Sequence, residues 1–177
     1  MSEHLLSLTN LPQDGRRFQT SDPAMWDDLL SRHGAPFSLE RVPEAEVLVR
    51  PSGKGYFIQG SLEGAVLLSC DRCAESVATE VSASFDHFEE PGHEPETGEG
   101  PEERVVVTRD GEPMLDVASL LWQFLLLELP LKVLCAASCK GICPTCGADL
   151  NEGECACEAE TGDPRLAPLR GLKIDKD

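Results

Sequence analysis

Towards its end the chain reads Cys135-Ala-Ala-Ser-Cys139-Lys-Gly-Ile-Cys143-Pro-Thr-Cys146-Gly147 and, after a short loop, Cys155-Ala-Cys157. Six of the eight cysteines lie in this segment, and the other two form a separate Cys70-Asp-Arg-Cys73 upstream. Where nothing indicates secretion, cysteines paired at such spacings are more often metal ligands than disulfides. The cysteine pattern therefore predicts metal binding, and bound metal would help to stabilise a fold with a modest core.

The cysteine spacing predicts two sites with four thiolates each. Tetrahedral zinc needs sulfur atoms about 2.3 Å from the ion, and a C-x-x-C turn brings two of them to one ion without strain. Pro144 stiffens the turn of the Cys143 pair, and Gly147 permits a positive φ directly after it. We group the nearest sulfurs as site 1: Cys143, Cys146, Cys155 and Cys157.

The remaining thiols make site 2, which would close a long loop: Cys70, Cys73, Cys135 and Cys139. This second grouping has alternatives, because Cys139 could replace Cys155 or Cys157 in site 1, or site 2 could be incomplete. We expect one or two structural Zn²⁺ ions in all.

The main alternative is an iron–sulfur or thiol redox protein, because thiolates also hold iron–sulfur clusters. The spacing Cys139-x3-Cys143-x2-Cys146 matches the three-cysteine motif of radical enzymes that use S-adenosylmethionine. Those enzymes need a large barrel, and only a short segment follows Cys146. Eight free buried thiols fit poorly, since polar residues separate the cysteines, and a disulfide framework would need an oxidising compartment.

The charge of the chain bears on its partners. The formal net charge is −17 over 177 residues. Two tetrathiolate sites with divalent ions would bring it to about −21, since eight thiolates outweigh four positive charges. Such a surface repels phosphate at long range and suits a basic partner better than naked nucleic acid. The alternative is that the acidity only keeps the protein soluble.

No catalytic set is visible in the sequence, so we expect a protein that is not an enzyme. A closed four-thiolate site has no open position for water, and no glycine-rich phosphate loop follows a strand. Basic residues with interleaved aromatics, typical of single-strand nucleic-acid binders, are absent. The four histidines lie in no cysteine or serine pattern: His4, His33, His87 and His93.

We also expect a cytoplasmic protein that uses neither a membrane nor a small-molecule substrate. The first ten residues lack the basic start and apolar centre of a signal peptide. The longest apolar run, 115–129, is interrupted by polar residues and is shorter than the roughly 20 residues of a spanning helix.

The residue pattern predicts an α+β fold: an antiparallel β-meander or partly closed sheet, a buried leucine-rich helix and the C-terminal four-cysteine zinc segment. Asp22-Pro23 is a helix-start signal for a helix that ends near Gly34. Asp116 is expected to cap a second helix that runs to about Glu128. Most of the circumference of that helix is apolar, which favours a core helix over an interface helix.

We expect a single domain over 1–177, with four parts. Residues 1–88 are β-rich and place the first C-x-x-C at a turn between two strands, and 77–86 alternate most clearly. Residues 89–103 read as an acidic disordered loop, which could also be an arm for a basic partner. Residues 104–157 hold a strand, the second helix and the zinc segment, and 158–177 form a tail.

Several of these stretches together resemble one family: Cys70-Asp-Arg-Cys73 after a strand, the leucine-rich helix up to Leu129-Pro130, Cys135, Cys139-Lys-Gly-Ile-Cys143-Pro-Thr-Cys146-Gly147, Asp149-Leu-Asn151 before Cys155-Ala-Cys157, and Asp163-Pro-Arg-Leu-Ala-Pro-Leu. The family is the YceD type of bacteria and plastids, named for large ribosomal RNA subunit accumulation. The resemblance covers most of the chain and is most specific from Cys135 onward.

The resemblance implies a non-enzymatic role in the accumulation of 23S ribosomal RNA during assembly of the large subunit. Its partner would be the large-subunit precursor, through the RNA, a basic ribosomal protein or both. Some members lack most of the C-terminal cysteines, so metal would stabilise the protein and would not be its activity. The resemblance assigns no RNA-binding or partner-binding residue, although local RNA contact through the basic tail Arg165–Lys173 would be compatible with it.

Overall fold

The computed structural model describes residues 4–91 and 104–157. Its elements in chain order are β1 (Leu5–Ser7), β2 (Arg16–Thr20), α1 (Pro23–His33), β3 (Ser38–Ser52), β4 (Gly55–Ser69), β5 (Ser76–Glu89), β6 (Val106–Arg109), β7 (Glu112–Asp116) and α2 (Val117–Glu128). Beyond Glu89–Pro91, the predicted acidic loop 89–103 lies outside these residues, and so do the predicted tail 158–177 and His93.

The strands form two antiparallel sheets, in the orders β2-β3-β4-β5 and β1-β7-β6. In the first sheet consecutive strands are neighbours, which is the arrangement of a meander. With two helices, the α+β class is confirmed. The partly closed sheet is not confirmed, because the strands of residues 4–91 and 104–157 pair as two separate open sheets.

The long strands of the meander alternate between a buried and a solvent-facing side, as their sequence requires. On the buried side, Gly60 of β4 is paired with Val47 of β3 and with Phe85 of β5. A Cβ atom at Gly60 would come within 2.4 Å of the Phe85 ring, so this position has room only for glycine. The Phe85 ring in turn stacks on Phe124 of α2 with 3.9 Å between centroids, which fixes the helix against the sheet.

Helix α1 begins and ends where the sequence predicts. The Asp22 side chain accepts a hydrogen bond from the Ala24 backbone N–H at 3.0 Å, and Gly34 takes the left-handed conformation that closes the helix at φ 57°. The Trp26 side chain is fully buried and donates from Nε1 to the Pro43 carbonyl oxygen at 3.2 Å. Helix α1 therefore covers the meander from its buried side.

Helix α2 is the buried leucine-rich helix that the sequence predicts. Asp116 accepts a hydrogen bond from the Ser119 backbone N–H at 3.0 Å and so caps its start. Half of its twelve residues are buried: Val117, Ala118, Leu120, Leu121, Trp122 and Leu125. The helix ends at Leu129-Pro130 and leads directly into the cysteine segment. No helix in the described ranges is long and apolar enough to cross a membrane.

The end of β5 is hydrogen-bonded to the residues at the start of β6. The Glu89 carboxylate accepts hydrogen bonds from the backbone N–H groups of Val105 and Val106 at 3.1 and 3.2 Å. It also accepts one from Arg104 at 3.1 Å. Burial by itself would raise the pKa of Glu89, but the contacts with His87, Arg104 and the two N–H groups hold it below its usual value.

The β4–β5 hairpin positions the first pair of cysteines. Its last paired residues are Ser69 and Ser76, so Cys70 and Cys73 lie at the hairpin tip, as predicted for a turn between two strands. The segment that follows α2 packs against this tip. The fold thus brings together two cysteine-bearing segments that are far apart along the chain.

Candidate metal centres

The structure brings the eight cysteines together in two groups of four, and they are the two groups that the spacing predicts: Cys70, Cys73, Cys135 and Cys139; Cys143, Cys146, Cys155 and Cys157. Within each group the Sγ atoms all lie within 4.8 Å of one another. Four sulfurs bound tetrahedrally at about 2.3 Å from zinc are about 3.8 Å apart. Each group therefore has the spacing to hold one metal ion, and the alternative with Cys139 in site 1 is not seen.

Site 2 joins the β4–β5 hairpin tip to the segment after α2. The Cys70 Sγ lies 3.9 Å from the Cys139 Sγ, and the Cys73 Sγ lies 3.5 Å from the Cys135 Sγ. Both distances are far longer than a disulfide bond, and all eight cysteines are free thiols. Three of the four cysteines are buried and Cys135 is exposed, so the site is mostly shielded from solvent.

Hydrogen bonds also join the two segments that carry the cysteines of site 2. The Asp71 N–H donates to the Val133 carbonyl at 2.9 Å, and the Val133 N–H donates back to the Asp71 carboxylate at 2.7 Å. The Cys135 N–H donates to the Cys70 sulfur at 3.3 Å. Donors of this kind favour thiolate sulfur, which is the form that binds metal.

Site 1 is built from a tight turn and the loop after it. The Gly147 N–H donates to the Cys143 carbonyl at 2.9 Å, and the Cys143 N–H donates to the Ala148 carbonyl at 2.8 Å. Gly147 takes φ +73°, the left-handed conformation that the sequence predicts there. Cys143 is buried, Cys146 is exposed, and the other two cysteines are half-buried, so site 1 is the more accessible of the two.

Each group contains thiols with a lowered pKa and thiols with a raised pKa. The backbone N–H groups of Arg72 and then Cys135 lower the pKa of the Cys70 thiol to about 6. The N–H groups of Cys146 and Thr145 lower the pKa of the Cys143 thiol to about 6 in the same way. In both sites the first cysteine of the C-x-x-C pair is thus prepared to bind a cation.

Two other thiols in each group have raised pKa values, Cys73 and Cys135 in site 2 and Cys155 and Cys157 in site 1. The Glu75 N–H favours the Cys73 thiolate, but burial and shared hydrogen bonds with Cys135 outweigh it and raise the pKa of Cys73 to about 12. Hydrogen bonding with Cys146 and burial raise the pKa of Cys157 to about 12. The pKa values of Cys135 and Cys155 are raised as well, each through shared hydrogen bonds with neighbouring thiols. A cation has to displace the protons of these thiols to bind.

Metal binding should therefore release protons. Two thiols of each site have a pKa above the ordinary 9.0 in the metal-free protein, and a bound ion needs them as thiolates. We expect at least two protons released per ion near pH 7, so the apparent affinity should rise about 100-fold per pH unit and fall correspondingly in acid. Calorimetric zinc titrations in buffers of different ionisation enthalpy measure this number, and a release of about one proton per ion or fewer would contradict it.

The iron–sulfur alternative is not favoured by this arrangement. Its three-cysteine motif is divided in the structure, since Cys139 belongs to site 2 while Cys143 and Cys146 belong to site 1. The sulfur spacing in each group matches one ion rather than several metal atoms. A site closed by four thiolates also leaves no open position for a substrate or water.

The three described histidines lie outside both cysteine groups. His4 is 3.5 Å from the Asp22 carboxylate, and His87 is 3.4 Å from the Glu89 carboxylate. His33 stacks on Trp122 with 4.8 Å between ring centroids. These contacts lie near the start of β1, the end of β5 and the end of α1.

Sequence reasoning missed the residues that connect the two sites, Arg72 and Asn151. The Asn151 side chain donates to the Cys139 sulfur at 3.4 Å, although Asn151 lies in the loop of site 1. This contact is the largest of the influences that lower the pKa of Cys139. The Asp149-Leu-Asn151 pattern, which is typical of a side-chain-stabilised turn, indicates an ordered loop but not which sulfur it contacts.

Comparison with known proteins identifies a family. Residues 58–173 match the sequence model of the family described as Large ribosomal RNA subunit accumulation protein YceD. One curated relative is the Large ribosomal RNA subunit accumulation protein YCED homolog 1, chloroplastic, of Arabidopsis thaliana, 27% identical over 140 residues, which are 66% of this chain and 44% of the relative. The protein of the same name from Zea mays is 27% identical over 141 residues, 65% of this chain and 48% of the relative. The chain thus spans less than half the length of these two relatives, and no solved structure gives a significant match.

Proposed function

The chain belongs to the YceD family of large ribosomal RNA subunit accumulation proteins, and we propose that it is a non-enzymatic factor needed for accumulation of the 23S ribosomal RNA during large-subunit assembly. The observation that carries this proposal is the family match over residues 58–173, which takes in all eight cysteines. The names of the two plant relatives point to the same process.

The proposal includes two structural Zn²⁺ ions, one in each cysteine group. A tetrahedral set of four sulfurs is typical of zinc or of iron–sulfur clusters, and the single-ion spacing in both groups favours zinc. Zinc bound in this way needs no open coordination position and contributes to folding instead of chemistry. The ions would hold the C-terminal segment against the β4–β5 hairpin.

The partner we propose is the precursor of the large ribosomal subunit. The net charge of −17 disfavours a broad contact with phosphate, so a basic ribosomal protein is the more suitable direct contact. Contact with 23S RNA would be confined to a small part of the protein surface. Such an association requires neither a membrane nor a small-molecule substrate. We place the protein in the cytoplasm, or in the equivalent compartment where ribosomes are assembled.

Sedimentation tests the role directly. In cell extracts fractionated on sucrose gradients, the tagged full chain should sediment with large-subunit precursors, and deletion of its gene should lower 23S RNA relative to 16S RNA until the gene is restored. Chemical crosslinking to lysine would capture a ribosomal protein, and ultraviolet crosslinking would capture RNA. Absence from precursor fractions together with normal 23S RNA in the deletion strain would overturn the proposal.

A further inference from the structure

Hydrogen bonds connect the two cysteine groups, although no sulfur atom belongs to both groups. Asn151 lies in the loop between Cys146 and Cys155, so site 1 closes the loop that carries it. Its amide nevertheless contacts site 2, where Nδ2 donates to the Cys139 sulfur at 3.4 Å. Its Oδ1 accepts a hydrogen bond from the Lys140 backbone N–H at 2.8 Å. One side chain of the site 1 loop thus fixes both a ligand of site 2 and the residue after that ligand.

The orientation of the Asn151 amide is set by the site 1 loop. The Asp149 carboxylate accepts hydrogen bonds from the Asn151 backbone N–H and from its Nδ2, each at 2.8 Å. The Leu150 N–H donates to the Gly141 carbonyl at 2.9 Å. The amide reaches the Cys139 sulfur only while this loop keeps its shape, and an ion in site 1 would stabilise that shape by closing the loop between Cys146 and Cys155.

A second connection runs in the opposite direction, from the site 2 hairpin tip to the segment that leads into site 1. The Arg72 carbonyl accepts a hydrogen bond from the Ile142 N–H at 3.1 Å. The Arg72 guanidinium donates to the Cys139 carbonyl at 2.6 Å. Gly141 takes φ +79°, and a Cβ atom there would come within 2.9 Å of the Arg72 carbonyl oxygen, so glycine permits this close approach.

We propose that the two metal sites are thermodynamically coupled, so that an ion in either site raises the affinity of the other, and that Asn151 is the positioning residue that carries most of this coupling. The inference rests on the proposed metal sites. The physical reason is the conformational entropy that is lost when the shared segment 139–151 becomes ordered. Binding of the first ion includes this cost, and binding of the second ion then does not include it again. Coupling between binding sites is reciprocal, so each ion strengthens the other by the same factor.

Cobalt(II) is the probe, because its tetrathiolate complexes are coloured. The affinity of each site for cobalt is measured in competition with a chelator of known affinity. In the full chain, Cys143→Ser/Cys146→Ser removes site 1 and leaves site 2 to be titrated by itself. We expect the cobalt affinity of site 2 to fall about 5- to 150-fold in that variant, the usual range of coupling between sites. Cys70→Ser/Cys73→Ser should lower the affinity of site 1 by the same factor.

A double-mutant cycle separates coupling from a simple local contact. With site 1 intact, Asn151→Ala should reproduce most of the fall in site 2 affinity, whereas Glu152→Ala, an exposed neighbour in the same loop, should not change it. In the Cys143→Ser/Cys146→Ser background, Asn151→Ala should have little further effect, because the amide is no longer held in place. An equal loss in both backgrounds would reduce Asn151 to a local contact and overturn its role.

The outcomes also separate this inference from the proposed metal sites. If the full chain binds two ions and neither affinity depends on the other site, the coupling is wrong and the metal sites stand. If loss of site 1 weakens site 2 but Asn151→Ala does not, Asn151 is not the carrier. If the full chain binds no ion, the proposed metal sites fail together with the coupling.

Discussion

Replacing Cys143 by serine should release the ion of site 1 and unfold the segment that the ion holds. The zinc content should fall by about one ion per chain. Structural zinc contributes on the order of 10–16 kcal/mol of binding free energy, and apart from an ion the segment 141–157 is held mainly by hydrogen bonds such as that from the Ile142 N–H to the Arg72 carbonyl. Of the eight residues 150–157, none is buried, and the hydrogen bonds of the turn depend on its closed shape. Limited proteolysis should therefore cut this segment rapidly in the variant and slowly in the parent.

Thr145→Ala is the matched control for this experiment. Thr145 lies in the same turn, is exposed, and contributes only its backbone N–H to the Cys143 sulfur. The alanine variant should keep its full zinc content and its resistance to proteolysis. Unchanged zinc content and unchanged protease resistance in Cys143→Ser would remove Cys143 from the ligands.

Replacing Leu125 by alanine should lower the free energy of unfolding by about 2–5 kcal/mol, the usual cost of truncating a fully buried leucine. Leu125 is 0% exposed in the last buried turn of α2, just before the helix leads into the cysteine segment. The cost has two parts, since apolar area is returned to water and a cavity remains where neighbours cannot collapse. Urea denaturation of the zinc-loaded protein measures the change through the shift of the midpoint.

Leu127→Ala on the same helix is the control. Leu127 is 75% exposed, and alanine is the better helix former, so its truncation should change the unfolding free energy by less than about 0.5 kcal/mol. The comparison holds residue type and helix constant and varies only burial. Equal losses in the two variants would show that α2 is not packed with Leu125 facing the core.

Much of the fold could be predicted because its determinants are local in sequence. Asp22 and Gly34 begin and end α1 through contacts with residues a few positions away. Strict alternation identifies the strand around 77–86, which lies within β5. The four-cysteine grouping was predictable for a similar reason, because a C-x-x-C turn fixes two sulfurs and the short loop to Cys155 limits which others can join them.

Other features could not be predicted because they depend on pairing between distant parts of the chain. The separation into two sheets follows from β1 pairing with β7, where Leu5 lies opposite Asp116, and no local pattern selects that partner. The link between the two sites is equally non-local. Arg72 and Asn151 read as ordinary turn residues in sequence, and only the packing of the hairpin tip on the cysteine segment brings both of them to Cys139.

The most direct test of the metal-held C-terminal segment is to count the ions in the intact protein by native mass spectrometry. We predict colourless protein with two zinc ions per chain, one for each cysteine group. Cys143→Ser/Cys146→Ser should lose the ion of site 1, and Cys70→Ser/Cys73→Ser should lose the ion of site 2. A folded chain that carries no metal, or a brown protein that carries iron, would contradict the account.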